Sequence, residues 1–68
     1  MKKLLELRAA MVRAEIGYVE LARKCRERGV EVDAVELSAI ANGRRESSAK
    51  LKETVAAVLG KATFEVFQ

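Results

Sequence analysis

The chain has 68 residues, of which 50% are hydrophobic and 34% are charged, and its net charge is +3. This length gives room for one small globular domain, 1–68, and excludes a two-domain enzyme. The mixture of apolar and charged residues is not that of a disordered tail or a membrane-spanning segment, and the mild basic excess permits nucleic-acid binding without requiring it.

Apolar residues recur at helical spacing along most of the chain, and proline is absent. This pattern predicts an all-α fold, a compact bundle of four to five short helices separated at the glycines. The first predicted helix covers about 3–16 and ends at Gly17. It has two neighbouring apolar stripes, which we expect to form one wide surface facing the core. The stripes comprise Leu4, Leu7 and Met11, and Leu5, Ala9, Val12 and Ile16.

The second predicted helix begins near Tyr18 and buries Leu21, Ala22 and Cys25. Gly29 lies where a left-handed residue would end this helix. Basic residues are frequent near its end, and we expect them either to reach phosphates or to remain in solvent. They are Arg23, Lys24, Arg26 and Arg28.

The third predicted helix has the clearest start, because Asp33 followed by Glu36 has the spacing of a capping box. It begins at Ala34, and the pair Asn42-Gly43 ends it, since both residue types tolerate positive φ.

The fourth predicted helix is capped by Ser47 or Ser48 and ends at Gly60. Its apolar face comprises Leu51, Val55, Val58 and Leu59. The remaining segment, 62–67, is either a last short helix or a docking arm.

The residue types that catalysis and metal binding usually need are scarce. The chain has no histidine, no glycine-rich phosphate loop and one cysteine, Cys25, which lies on an apolar helical stripe. We therefore expect no enzyme activity, no metal, no cofactor and no internal disulfide. Because only one cysteine is used and no signal-peptide pattern is visible, we expect a cytoplasmic protein.

The order of these elements is that of a helix-turn-helix domain. The segment VDAVELSAIANGRR, 32–45, resembles the recognition-helix segment of the lambda-repressor-like, Cro-type family. The segment LRAAMVR, 7–13, resembles that family's first helix, and Glu20-Leu21-Ala22 resembles its second-helix signature. LKETVAAVLG, 51–60, followed by FEVF, is similar to its fourth and fifth helices.

The resemblance implies a bacterial or phage transcriptional regulator of the repressor type that binds double-stranded DNA as a homodimer. Its recognition helix would be about 34–42. The residues that would face DNA are Tyr18, Asp33, Ala34, Val35, Glu36, Ser38, Ala39, Asn42, Arg44, Arg45 and Lys50. The candidate dimer interface comprises Leu59, Phe64, Val66 and Phe67. Of the two phenylalanines, we expect Phe64 to fill the core and Phe67 to contact the partner.

The sequence departs from the family in the interval between the second and third helices, which is about five residues longer. Tyr18 stands where the family often has glutamine, and its hydroxyl can donate to a phosphate while its ring can instead pack on the first helix. Lys52, like Lys50, is expected to lie along the DNA backbone.

The base-reading positions carry no residue able to make a bidentate contact with a base. We therefore expect binding through the phosphates, weakened by salt. A helical protein-interaction module that does not bind DNA is the main alternative, and an RNA-binding or architectural protein is a third.

Overall fold

A computed structural model describes residues 4–67 of the chain. Over this range the all-α prediction is confirmed, because the described residues form five helices and no strand. The helices are α1 (Leu5–Arg13), α2 (Tyr18–Glu27), α3 (Ala34–Ala41), α4 (Ala49–Val58) and α5 (Thr63–Val66). Lys3, where we expected the first helix to begin, lies outside the described residues.

The helices enclose one aliphatic core. α2 packs against α3 and α4, α1 packs against α5 and α3, and α5 also contacts α4. The largest fully buried side chains are Leu7, Leu21, Leu37, Val55, Val66 and Cys25. Cys25 is therefore a core residue, as predicted, and within 4–67 no polar or charged residue is buried.

Three helix ends follow the sequence prediction, with glycine in the left-handed region immediately beyond the helix. At the end of α2, Gly29 has φ 84°. Its N–H donates to the carbonyl of Arg26 (2.9 Å), and the N–H of Val30 donates to the carbonyl of Cys25 (3.1 Å). This pair of bonds is the Schellman motif, which satisfies carbonyls that have no partner within the helix.

The end of α1 differs from the prediction. The helix ends at Arg13, and Glu15, not Gly17, takes the left-handed conformation, with φ 56°. The N–H of Ile16 donates to the carbonyl of Met11 (3.0 Å), so this end has the same bonding pattern with glutamate in the glycine position. Ile16 then packs on the core, and Gly17 is the extended residue that precedes α2.

The predicted wide core face of α1 is only half correct. Leu7 and Met11 are buried, but Leu5 and Val12 are 65% and 76% exposed. The reason is tertiary: α5 and α3 contact α1, and no described helix covers its opposite side.

The last segment is the short helix α5, and the expectation that Phe64 fills the core is wrong. Val66 enters the core with 2% exposure, whereas Phe64 is 76% exposed. Side chains two positions apart on a helix point in different directions, so a single turn cannot bury both. Phe67 is half-buried, and the ammonium of Lys52 lies 6.0 Å from the centre of its ring.

The strained position at the end of α1 gives a stability prediction. A residue with a Cβ in the left-handed conformation costs about 1–2 kcal/mol relative to glycine. We expect Glu15→Gly to raise the free energy of unfolding by about 0.5–1 kcal/mol, measured by urea denaturation, because the added chain entropy of glycine offsets part of the gain. The matched control is Ala14→Gly, at a right-handed position, which should destabilise the fold. Equal effects of the two substitutions would contradict the strain argument.

Candidate nucleic-acid interface

The candidate site is built on the α2–α3 pair. Residues 28–33 connect these helices, six residues where a helix-turn-helix turn usually has about three or four. Two contacts hold this longer connection. Val32 is buried, and Arg26 Nη1 donates to the carbonyl of Val32 (2.9 Å). Arg26 therefore binds its own chain. Its hydrogen bond holds Val32, the residue that precedes the N-cap of α3.

The first turn of α3 is capped as predicted. Asp33 Oδ1 accepts the N–H of Glu36 at 2.7 Å. The reciprocal bond of a capping box is not formed among the described residues; instead Glu36 Oε2 lies 3.6 Å from Arg45 Nη2. The Asp33 carboxylate is thus partly committed to the backbone, and the Glu36 carboxylate faces a cation.

α3 lies at the surface with one face buried and the other open. Leu37, Ile40 and Ala41 pack into the core, while Val35 is 80% exposed. All of the predicted DNA-facing residues of α3 and its caps are at least partly exposed. Asp33 and Val35 are exposed, and Ala34, Glu36, Ser38, Ala39 and Asn42 are half-buried. The open face therefore carries mainly small and apolar side chains.

Asn42 has the side-chain amide best suited to contact a base, but this side chain is folded back onto α3. Its Nδ2 donates to the carbonyl of Ser38 (2.8 Å) and lies 3.5 Å from Ser38 Oγ. This hydrogen bond closes the end of α3 and occupies a donor that a base would otherwise need. Direct reading of bases by this residue would require that bond to break.

Positive charge follows directly after α3. Gly43, with φ 77°, turns the chain, and the N–H of Arg44 donates to the carbonyl of Ala39 (2.9 Å). Arg44 and Arg45 are both exposed, and the Glu36 contact brings the Arg45 guanidinium back to the first turn of α3. Arg45 and the first turn of α3 therefore lie on one surface.

α4 contributes one exposed cation of the two that the sequence predicted. The hydroxyl of Ser48 accepts the N–H of Leu51 (3.2 Å) and begins the helix, which leaves Lys50 exposed in its first turn. Lys52 is half-buried and its ammonium lies over the Phe67 ring. Lys52 is therefore engaged within the chain.

Two of the four cations near the end of α2 are engaged as well. Arg23 lies 2.7 Å from Glu27 Oε2 and 3.8 Å from Glu20 Oε2, on the same exposed helix surface. Together with the Arg26 contact to Val32, this accounts for two of the four cations. Tyr18, the remaining predicted DNA contact, is half-buried and packs against the core at the start of α2.

The predicted dimer interface is only partly exposed. Val66 is buried in the core, so it is not available to a partner, and Leu59 and Phe67 are half-buried. Phe64 is the exposed member of the four. An interface at this end of the chain would therefore rest chiefly on one aromatic ring.

A cleft of about 60 Å³ lies between α1 and α5, lined by Glu6, Ala10, Arg13, Lys61, Glu65 and Val66. In 4–67 no group of three or more histidine, cysteine, aspartate or glutamate residues is arranged to hold a metal. The helices described there are too short, or too polar, to cross a bilayer.

Comparison of the chain with protein-family models, curated proteins and solved structures gave no match.

The buried thiol gives a prediction about pH. Burial raises the pKa of the Cys25 thiol above its ordinary value of 9.0, and the positive charges of Arg28 and Arg26 offset part of this rise. A raised pKa in the folded state stabilises the fold below the unfolded-state pKa, and this contribution is lost as the pH rises through the folded-state pKa. We expect the stability difference between the natural chain and Cys25→Ala to shrink from about pH 8 to about pH 10.

Urea denaturation of both proteins under reducing conditions, at a series of pH values, measures this difference. Cys25→Ala removes the titrating thiol but leaves every other ionisable group, so effects of lysine and tyrosine cancel. A difference independent of pH would contradict the assigned direction of the pKa shift.

Proposed function

We propose that this chain is the double-stranded DNA-binding domain of a cytoplasmic transcriptional regulator of the bacterial or phage repressor type. α3 acts as the recognition helix, and Arg44, Arg45 and Lys50 contact phosphates beside the groove. The observation that carries the proposal is the position of Arg45, whose guanidinium lies 3.6 Å from Glu36 in the first turn of α3. This contact places a cation beside the open face of the helix.

The chemistry of that face favours phosphate-driven binding. Ala34, Val35 and Ala39 offer only methyl groups, which suit the methyl group of thymine. Asp33 caps the helix, and the Asn42 amide bonds to Ser38. Affinity therefore comes mainly from the arginines and lysine, which makes binding salt-dependent and only weakly selective for sequence.

Binding as a homodimer follows from the small number of cations on this surface. One domain would neutralise few phosphates, whereas two copies related by a two-fold axis place their recognition helices in major grooves about 34 Å apart. Each copy then contributes its own set of phosphate contacts.

One observation favours a protein-interaction module as the second candidate. Val35 is 80% exposed in the middle of the open face of α3, and α3 lacks a basic residue of its own. An uncharged, apolar helix face suits another protein better than a polyanion. The two candidates differ in how they depend on the arginine pair.

The first test removes that pair. We expect Arg44→Ala with Arg45→Ala to weaken duplex binding at low salt. The slope of log K against log salt should fall by about 0.9 for each phosphate that the variant no longer neutralises. Fluorescence anisotropy with a labelled random-sequence duplex, over a range of salt concentrations, measures both quantities.

The control removes the same amount of charge elsewhere, with Arg8→Ala and Lys61→Ala, and should leave the slope nearly unchanged. If the two double variants behave alike, the arginine pair does not bind the phosphates. If neither the natural chain nor the control binds duplex, the interaction module is favoured.

The second test concerns the competition between Glu36 and phosphate for Arg45. An exposed ion pair contributes up to about 1 kcal/mol, so releasing Arg45 should strengthen binding by up to about fivefold. We expect Glu36→Gln to bind duplex more tightly than Glu46→Gln. Both substitutions remove one negative charge from the same region, but an ion pair is seen only for Glu36 within the part of the chain that the structure describes. Equal gains would show that only net charge matters.

A further inference from the structure

α1 has a second apolar surface that no other helix of the described residues covers. Leu5, Ala9 and Val12 lie at positions i, i+4 and i+7, so they form one stripe. At about 100° per residue the centre of this stripe is about 150° from the buried positions Leu7 and Met11. Leu5 and Val12 are 65% and 76% exposed. A helix that is apolar on two nearly opposite sides is typical of one packed between two layers, and the described residues supply one layer.

On one flank of this stripe the charges have opposite sign at the two ends of α1, and the other flank carries Arg8. Glu6 is in the first turn of α1 and Arg13 is in the last. Both lie on the same flank of the stripe, about 70–95° from its centre. When two copies of this helix lie antiparallel, the same flanks face each other, so the acid of each copy meets the base of the other.

We propose that the stripe Leu5, Ala9 and Val12 is a self-association surface, on which α1 of a second copy packs antiparallel. With the two-fold axis near Ala9, Leu5 of each copy contacts Val12 of the other. Glu6 of each copy lies beside Arg13 of the other. The small side chain of Ala9 at the crossing point allows the helix axes to approach to about 8 Å.

A second copy fits this surface for three separate reasons. The apolar residues match in the antiparallel arrangement, the two Glu6–Arg13 pairs on one flank outweigh the single Arg8–Arg8 repulsion on the other, and the two helix dipoles are opposed. The C-terminal surface has no comparable stripe, because Phe64 is exposed there while Val66 is in the core. The contact lies on α1 and needs no DNA, so it stands or fails separately from the proposed function.

The expected strength is low. Three side chains and their flanks cover less than the roughly 800 Å² per partner that stable complexes bury. We expect a dissociation constant on the order of 10⁻⁴ M. Two copies on neighbouring sites of one duplex would reach effective concentrations of about a millimolar, at which this contact is populated.

The test reverses one charge of the proposed ion pair in each of two variants. Glu6→Lys and Arg13→Glu are made separately, and each protein alone should lose self-association, because both ion pairs across the two-fold axis become pairs of like charges. An equimolar mixture should associate again. In the mixed dimer the lysine introduced in one copy faces the glutamate introduced in the other, and the unchanged Arg13 and Glu6 face each other. Sedimentation equilibrium at about 0.1–1 mM measures the average mass, and circular dichroism checks that each variant is folded.

Matched controls keep the result interpretable. Glu53→Lys, on the exposed surface of α4, changes charge by the same amount and should associate like the natural chain. Phe64→Ala should also associate normally. The proposal is overturned if the natural chain is monomeric at about 1 mM, if the mixture is no larger than its components, or if Phe64→Ala alone abolishes association.

Discussion

The direction in which α3 faces is fixed by burial of Leu37, Ile40 and Ala41, and the candidate site depends on it. Burying an aliphatic side chain contributes about 1.5–3 kcal/mol, far more than any exposed ion pair of the region. Packing against α2 thus decides which residues of α3 reach solvent. The polar contacts then adjust the ends: Asp33 caps the start, and after the turn at Gly43 the Arg45 side chain reaches back to Glu36. Rotation of α3 by one residue position, about 100°, would expose part of its core face and bury part of its open face.

Electrostatics at this surface is a balance between internal and external partners. Arg23, Arg26 and Lys52 have contacts inside the chain, with a carboxylate, a carbonyl and an aromatic ring respectively. These contacts leave the net charge of +3 unchanged, but each of the three cations would have to leave its partner to reach a polyanion. Arg45 is different, because its partner Glu36 is a single half-exposed carboxylate at 3.6 Å. Such a pair is weak enough to exchange for a phosphate, which offers a charge-assisted contact of equal or greater strength.

Local signals predicted much of the fold, since caps and left-handed turns depend on a few adjacent residues. The start of α3 at Asp33 and the turn at Gly29 are examples. Most of the errors concern residues whose burial depends on distant helices, whereas the left-handed Glu15 at the end of α1 is a local error. Leu5 and Val12 have the apolar character and spacing of core residues, but coverage by α5 and α3 decides which side of α1 is buried. On the candidate site, the open residues of α3 were predictable from periodicity. The Glu36–Arg45 pair was not, because it needs the chain to return along α3 after the turn.

The exposed aliphatic side chains have a common physical origin in the size of the chain. A domain of this length buries only about 60% of the surface of its unfolded chain. Half of its residues are hydrophobic, and five short helices cannot cover all of their side chains. The excess is not spread evenly. On α1 it forms a stripe aligned with the helix, whereas Val35 and Phe64 stand as single exposed side chains on α3 and α5. Scattered exposed residues need no explanation, but an ordered row with flanking charges of opposite sign has the form of a packing surface. A second copy would cover that row by helix packing, as α5 and α3 cover the opposite side of α1. The open face of α3 would remain free for the proposed duplex.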